Sequence, residues 1–162
     1  LDLPSYGSLW HYLARHDLVG RVVWSRAPLD DPAADVFVEP RLLHSQDLEG
    51  SWWRVVDVKT ALGQRGYDVE GSLVLAITED ELAPWNNGRW RLDVGPDGAG
   101  VQATDAPADI ELSVRALSSL YSGHRSARHL ANAGLLAGEA LTVANLDRMM
   151  RTRFAPHCPD HY

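Results

Sequence analysis

The chain has 162 residues, with 15 lysines and arginines against 22 aspartates and glutamates, and its formal net charge is −7 at pH 7. This length suffices for one domain with a hydrophobic core, or for one domain plus part of another. The negative charge argues against nucleic acid and against an anionic membrane as partners, and no apolar run approaches the roughly 18 residues of a membrane helix. The single cysteine, Cys158, cannot form an intrachain disulfide, which predicts a cytoplasmic location.

The first third of the chain combines helix and strand signals. The first residue is Leu1 and an amphipathic helix signal, from Leu9 to His16, follows almost at once, so we expect a piece of a longer protein whose missing part is N-terminal. Residues 21–25 indicate a strand, and Pro32 at a first helical position predicts a short helix over 33–38.

The middle of the chain is predicted to be mainly strands. Residues 52–58, Trp-Trp-Arg-Val-Val-Asp-Val, give the clearest strand signal of the chain. A helix is predicted over 60–65, closed by Gly66. The Gly-Pro-Asp-Gly sequence at 95–98 predicts a hairpin turn. The remaining predicted strands cover residues 71–77, 89–94, 100–103 and 108–113.

Helix signals dominate from residue 114 onwards. The predicted helices cover residues 114–121, 126–133 and 141–150, and the second begins at a serine cap and ends before Gly134. Strands followed by helices, mostly joined by tight turns, predict an α+β fold, with an antiparallel sheet and packed helices.

The last twelve residues, 151–162, form a tail rich in functional groups. Pro156 and Pro159 exclude a helix and favour extended backbone. Such a tail is either a disordered end, which is the ordinary case, or an arm that binds elsewhere, and we interpret it as a placed arm. The side chains of His157, Cys158, Asp160 and His161 are of metal-ligand type, but their spacing matches no common site, so we predict no metal.

Three further clusters admit either a functional or a structural interpretation. Four tryptophans could form a stacking platform, but we prefer to place them in the core and at the rim of the sheet: Trp52, Trp53, Trp85 and Trp90. A basic patch or, by default, a solvated helix face explains His124, Arg125, Arg128 and His129. A site or, equally well, a turn and a strand edge explains Asp105, Asp109 and Glu111.

Several short stretches carry a family resemblance. The most recognisable is 49–58, Glu-Gly-Ser-Trp-Trp-Arg-Val-Val-Asp-Val, followed by Ala61-Leu62 and Arg65-Gly66-Tyr67. The other stretches, in chain order, are Ser8-Leu9-Trp10, Asp30-Asp31-Pro32, residues 87–90, 104–111, 117–123 and 146–148. In this order they resemble the C-terminal part of the Eis (enhanced intracellular survival) family of acetyl-CoA-dependent N-acetyltransferases.

The resemblance implies a GNAT–GNAT–sterol-carrier architecture. Residues 1–48 would be the C-terminal end of the second GNAT-like domain, and residues 49–162 would be a sterol-carrier-protein-like domain with a catalytic tail. Family members are hexamers, which implies a homohexamer for the full-length protein. Acetyl-CoA would be the cosubstrate, bound by an N-terminal GNAT domain whose pyrophosphate loop and catalytic tyrosine acid this sequence does not contain. The fragment alone is therefore expected to be inactive.

The resemblance also implies roles for individual residues. The α-carboxylate of the last residue acts as general base in the family, and by position it maps to Tyr162. An acidic substrate-binding residue maps to Glu49, while His161 stands where family members carry an acidic residue. The substrate would be an amine, either on a small molecule such as an aminoglycoside or on a protein lysine.

The base chemistry requires a raised pKa. A free α-carboxyl group has a pKa of roughly 3.3–3.7, which is too low for an efficient base at neutral pH. Burial in a cleft beside carboxylates such as Glu49 or Asp160 would raise it. Pro156 and Pro159 stiffen the arm and so reduce the entropy lost when it is fixed.

Two non-catalytic alternatives remain open. The sterol-carrier-like domain could be a lipid-binding module or could serve only to assemble the oligomer. The residues that could line an apolar tunnel, and that would otherwise form a filled core, are Leu73, Leu75, Ile77, Leu112, Leu117 and Leu130.

Overall fold

The computed structural model describes residues 2–48 and 50–160. The chain divides into two compact units, one containing the described residues up to Gly50 together with 157–160, and the other Ser51–Pro156. Within the described ranges no helix is long and apolar enough to cross a membrane.

The first unit is built around the N-terminal helix, α1 (Leu3–Ala14). The carboxylate of Asp2 caps this helix by accepting a hydrogen bond from the amide of Ser5 at 2.9 Å. The hydroxyl of Tyr6 donates to Asp31 at 2.7 Å, close to the short helix α2 (Ala33–Val36). Both predicted helices are thus present, the second shorter than expected.

Residues 21–25, predicted to be a strand, are irregular, so that prediction is wrong. Val22, Val23 and Trp24 are all exposed. The described part of this unit contains no strand with which they could pair. A strand signal in the sequence indicates residues that fit the half-buried surface of a sheet, and the described part of this unit contains no sheet.

The second unit is an α+β domain. Its helices are α3 (Val58–Gln64), α4 (Val114–Tyr121), α5 (Ala127–Asn132) and α6 (Ala140–Met149). Its strands are β1 (Gly71–Thr78), β2 (Gly88–Gly95), β3 (Gly98–Ala103), β4 (Ile110–Ser113) and β5 (Leu136–Gly138). All these elements except β5 were predicted.

The sheet has the order β3-β2-β1-β4-β5. Three of its pairings are antiparallel, but β1 and β4 pair in parallel, with Leu75 opposite Ile110. The α+β class is therefore confirmed, and the sheet is mixed rather than purely antiparallel. Strand β1 has neighbours on both sides, and its run Leu73, Val74 and Leu75 is buried without alternation, as is typical of a central strand covered on both faces.

Helices and sheet share one hydrophobic core. Val58 and Leu62 of α3, Leu117 of α4 and Leu146 of α6 have no exposed surface. All six residues considered as a tunnel lining belong to this core and are at most 4% exposed: Leu73, Leu75, Ile77, Leu112, Leu117 and Leu130. The filled-core interpretation is the one that the packing favours.

Side-chain caps fix the helix ends of this unit. Asp57 accepts from the amide of Thr60 at 2.7 Å, and Ser126 accepts from the amide of His129 at 3.0 Å. The carboxylate of Asp147 on α6 also accepts from the amide of Ala127, at the start of α5. This last contact joins the final helix of the domain to the helix before it.

Candidate functional site

The three residues to which the family resemblance gives roles, Glu49, His161 and Tyr162, lie outside the described residues. Their roles therefore stay predictions. The structure does describe the point at which the C-terminal tail leaves the core, and the segment that follows Glu49.

The tail begins in a buried position. Met150, directly after α6, is 2% exposed, and its amide donates to the carbonyl of Leu146 at 2.9 Å. The Nη2 atom of Arg65 donates to the carbonyl oxygen of Met150 at 2.7 Å and lies 3.5 Å from that of Arg151. A side chain 85 positions earlier in the chain thus binds the backbone at the point where the tail begins.

Arg65 is itself held between two aromatic rings. Its guanidinium carbon lies 5.6 Å from the ring centre of Tyr67 and 5.5 Å from that of Tyr121, which is cation–π geometry. Burial lowers the pKa of Arg65, but an arginine remains protonated at neutral pH. Burial raises the pKa of Tyr67 to about 12, so its hydroxyl stays neutral and donates to the carbonyl of Leu62 at 2.9 Å.

The next tail residue is in close contact with a glycine. Gly123, just after α4, has φ +77°, and a β-carbon built on it would lie 2.1 Å from Oγ1 of Thr152. Glycine is therefore required here both for the left-handed backbone and for the space. Arg65 and Gly123 together determine where residues 150–152 run.

The rest of the described tail, up to Asp160, contains no helix, as its prolines predicted. His157, Cys158 and Asp160 are exposed. In the described part of the chain, no group of three or more His, Cys, Asp or Glu side chains could hold a metal ion.

Residues 52–58 were predicted to be the clearest strand, and this prediction is wrong. Apart from Val58, which begins α3, they form an irregular segment whose backbone groups bind side chains of other elements instead of a neighbouring strand. The amide of Val55 donates to Oγ of Ser118, and the amide of Val58 donates to Oδ1 of Asn86, both at 2.9 Å. The carbonyl of Val56 accepts from Asn86 at 3.0 Å and from Trp85 at 3.1 Å.

A buried carboxylate supports the same segment. Oδ1 of Asp80 accepts from Nη2 of Arg54 at 2.5 Å and from the amide of Ala83 at 2.9 Å, and Oδ2 accepts from Nδ2 of Asn86 at 2.8 Å. Burial alone would raise the pKa of Asp80, but these hydrogen bonds outweigh it and hold the pKa below the usual value of 3.8. Sequence analysis missed Asp80 and Asn86 because neither belongs to a motif.

The tryptophan, basic and acidic clusters lie mostly at the surface. Trp52, Trp53 and Trp85 are 85, 49 and 59% exposed, so the expectation that they belong to the core and rim of the sheet is wrong, whereas Trp90 packs against the core. The basic cluster is exposed, consistent with a solvated helix face: His124, Arg125, Arg128 and His129. The acidic cluster is also exposed, and one member, Asp109, accepts from the amide of Val74 at 2.7 Å, which supports the strand-edge interpretation.

Comparison with known families defines the class of protein first. Residues 58–159 match the family described as "Sterol carrier protein domain", and residues 1–56 match "Acetyltransferase (GNAT) domain". An uncharacterized N-acetyltransferase of Streptomyces avermitilis is 38% identical over 160 residues, which are 96% of this chain and 37% of that protein.

Comparison with individual relatives shows which family of N-acetyltransferases the chain belongs to. N-acetyltransferase Eis of Mycobacterium tuberculosis is 33% identical over 133 residues, 80% of this chain and 31% of that protein. The crystal structure of Eis1 from Mycobacterium abscessus superposes with a TM-score of 0.81 at 28% identity, covering 99% of this chain and 41% of that one. The chain belongs to the Eis-like N-acetyltransferase family. It spans about 37% of the length of the first curated relative that it matches.

Proposed function

We propose that this chain is the C-terminal part of an acetyl-CoA-dependent N-acetyltransferase and that the α-carboxylate of Tyr162 is its general base. The observation that carries the proposal is the family membership. The buried, hydrogen-bonded start of the tail at Met150 supports it, because a tail that is fixed at its origin loses less entropy when its end binds.

The chemistry requires one proton transfer from the substrate. An amine attacks the thioester carbonyl through its lone pair, so a nitrogen–carbon bond forms, the carbon–sulfur bond breaks and the nitrogen must lose a proton. The carboxylate of Tyr162 accepts that proton, directly or through one water. The departing thiolate takes a proton from the tyrosine acid that the family resemblance assigns to another domain.

Acetyl-CoA supplies the acetyl thioester, and the described residues do not fit its pyrophosphate. Within 2–48 and 50–160, glycines with left-handed backbone stand at the starts of β2 and β3 and after α4 and α5: Gly88, Gly98, Gly123 and Gly134. None belongs to a glycine-rich loop at a helix N-terminus, the usual pyrophosphate site. We therefore place acetyl-CoA in a GNAT domain outside this chain and expect no stoichiometric CoA binding by residues 1–162 in calorimetry.

The substrate class follows from charge and from the family. Glu49 and the overall charge of −7 favour a cationic amine, on an aminoglycoside-like molecule or on a protein lysine. His161, in place of an acidic residue, would weaken the binding of polycations. The boundary between the GNAT-like end and the sterol-carrier-like domain, at 48/49, and a homohexamer are parts of the same proposal.

The test is a set of C-terminal variants of the full-length enzyme. A C-terminal tag converts the α-carboxylate of Tyr162 into an amide, and deletion of Tyr162 moves the carboxylate by at most roughly 3.3–3.6 Å. Each should lower kcat by about 10²–10⁴, the usual effect of losing a general base. Tyr162→Phe keeps both the carboxylate and a ring, and should keep most activity.

The matched control is the same tag placed at the N-terminus, with the oligomeric state checked by light scattering for every variant. Full kcat in the C-terminally tagged enzyme, with its assembly unchanged, would rule out the terminal carboxylate as the base.

A further inference from the structure

We propose that Arg65 is a positioning residue for the catalytic tail: by binding the carbonyl of Met150, directly before the tail, it sets the direction in which residues 151–162 leave the core. This inference rests on the proposed function of Tyr162. It concerns a residue far from the reacting atoms, so it is tested separately from that function.

Arg65 binds a backbone carbonyl rather than a carboxylate. Within residues 2–48 and 50–160, Arg65 forms no ion pair, although its guanidinium is partly buried and burial lowers its pKa. Its guanidinium instead donates to the carbonyl of Met150 at 2.7 Å, directly after the last turn of α6. The final carbonyls of a helix have no intrahelical donor, and a cation is favourable there. Arg65 thus closes α6 at the point where the tail begins.

The side chain of Arg65 is itself immobilised. The rings of Tyr67 and Tyr121 lie on the guanidinium at 5.6 and 5.5 Å, and the hydroxyl of Tyr67 is bonded to α3 through Leu62. A free arginine side chain loses about 2 kcal/mol of rotamer entropy when it binds, and a planar guanidinium held in advance loses less. The two rings therefore make Arg65 a rigid hydrogen-bond donor.

The tail has a second fixed point two residues after Met150. Thr152 packs so tightly against Gly123 that no β-carbon could be placed between them. The three consecutive residues from Met150 to Thr152 are therefore held by a hydrogen bond on one and a steric contact on another. Fixing consecutive residues sets a direction, which a single contact would not do.

For catalysis, the length and direction of the free part of the tail decide whether its end reaches the substrate. Tyr162 lies ten positions after Thr152, so the chain between them spans at most about 33–36 Å. Releasing the first residues of the tail would lengthen the free segment and remove its starting direction. The effective concentration of the carboxylate at the amine would then fall.

The experiment compares three full-length variants. Arg65→Gln removes the charge and the guanidinium, Arg65→Lys keeps the charge but loses the planar guanidinium, and Arg115→Gln, at an exposed position of α4, makes the same change of charge elsewhere. We expect Arg65→Gln to lower kcat about tenfold with KM changed less than twofold, because positioning affects the reacting geometry rather than substrate binding. Arg65→Lys should recover part of the loss, and Arg115→Gln should behave as the wild type.

Combination with the Tyr162 deletion separates positioning from folding. In the deleted background the carboxylate is already displaced from the position that catalysis requires, so misdirecting the tail through Arg65→Gln should cost nothing further. An equal loss of kcat in both backgrounds would show that Arg65 acts only through stability and would overturn the inference. Wild-type kcat in Arg65→Gln would overturn it as well.

Hydrogen exchange gives a readout that needs no activity. Amides of residues 151–155 should exchange faster in Arg65→Gln than in Arg115→Gln, while those of β1 should be unchanged. Unaltered exchange would contradict the anchoring. If deletion of Tyr162 leaves kcat intact, the proposed function fails. If the deletion abolishes kcat and Arg65→Gln does not lower it, this inference alone fails.

Discussion

The Nη2 atom of Arg54 lies 2.5 Å from Oδ1 of Asp80, and the Asp80 side chain is completely shielded from solvent while that of Arg54 is one-third exposed. This pair, with Asn86, joins the irregular segment 52–58 to the turn after β1. We expect Asp80→Asn to lower the free energy of unfolding by roughly 3 kcal/mol, the low end for a broken buried pair, because Arg54 can still reach water.

The control for this prediction is Glu111→Gln, which removes one negative charge at an exposed position of β4. Urea unfolding of both variants measures the difference. Equal stability of Asp80→Asn and Glu111→Gln would mean that the buried pair contributes nothing.

The second prediction concerns Gly123 and Gly134, which have almost the same left-handed φ, +77° and +71°. A β-carbon at Gly134 would meet nothing within 4 Å, whereas one at Gly123 would meet Thr152. Gly134→Ala should therefore cost only the backbone term, about 1–2 kcal/mol. Gly123→Ala should cost more, and adding Thr152→Ala should recover part of the excess. Thermal unfolding of the wild type, the two single glycine variants and the double variant tests this. Identical losses of stability at the two glycines would contradict the close contact.

The third prediction uses the pKa of Tyr67, which burial raises to about 12 from the ordinary value of 10. Above pH 10 the unfolded chain releases the phenolic proton while the folded chain keeps it, so folding stability falls from pH 10 to pH 12. In Tyr67→Phe this part of the fall should be absent. Unfolding free energies of both proteins at pH 9, 10 and 11 provide the test, and parallel curves would show that the hydroxyl titrates normally.

The fourth prediction concerns Glu49 in the full-length enzyme. If its carboxylate holds a distal ammonium of the substrate, it contributes binding that is equal in ground and transition states. Glu49→Gln should then raise KM for diamines and leave kcat nearly unchanged, with little effect on a monoamine. An unchanged KM for every polyamine would reduce Glu49 to a turn residue.

Local signals explain the parts of the fold that sequence analysis predicted. The helices α3 and α5 begin at Asp57 and Ser126, whose side chains cap them, and such caps involve neighbours three residues away. The hairpin of β2 and β3 depends on the turn at 95–98. The parallel pairing of β1 with β4 has no local signature, because the hairpin lies between these strands.

The segment 52–58 shows why a strong strand signal can fail. Its β-branched and aromatic residues favour a half-buried, extended backbone, and such a backbone does not require a neighbouring strand. Here the hydrogen bonds come from Asn86 and Ser118, which lie 28 and 63 positions away from their partners. Contacts between residues so distant in sequence produce no periodic pattern in the sequence. The anchor of the tail was missed for the same reason, since Arg65 and Met150 are 85 positions apart.

The contact between Asp147 and the start of α5 has a consequence for the order of events during synthesis. Helix α6 is the last helix in the described part of the chain, and it docks on partners made earlier, among them Ala127 and the side chain of Arg65. The tail can therefore acquire its direction only after the rest of the domain has folded. Under the proposed mechanism, a nascent or misassembled full-length enzyme would bind acetyl-CoA in its N-terminal GNAT domain without a base to use it, so that acetyl transfer itself would report completed folding.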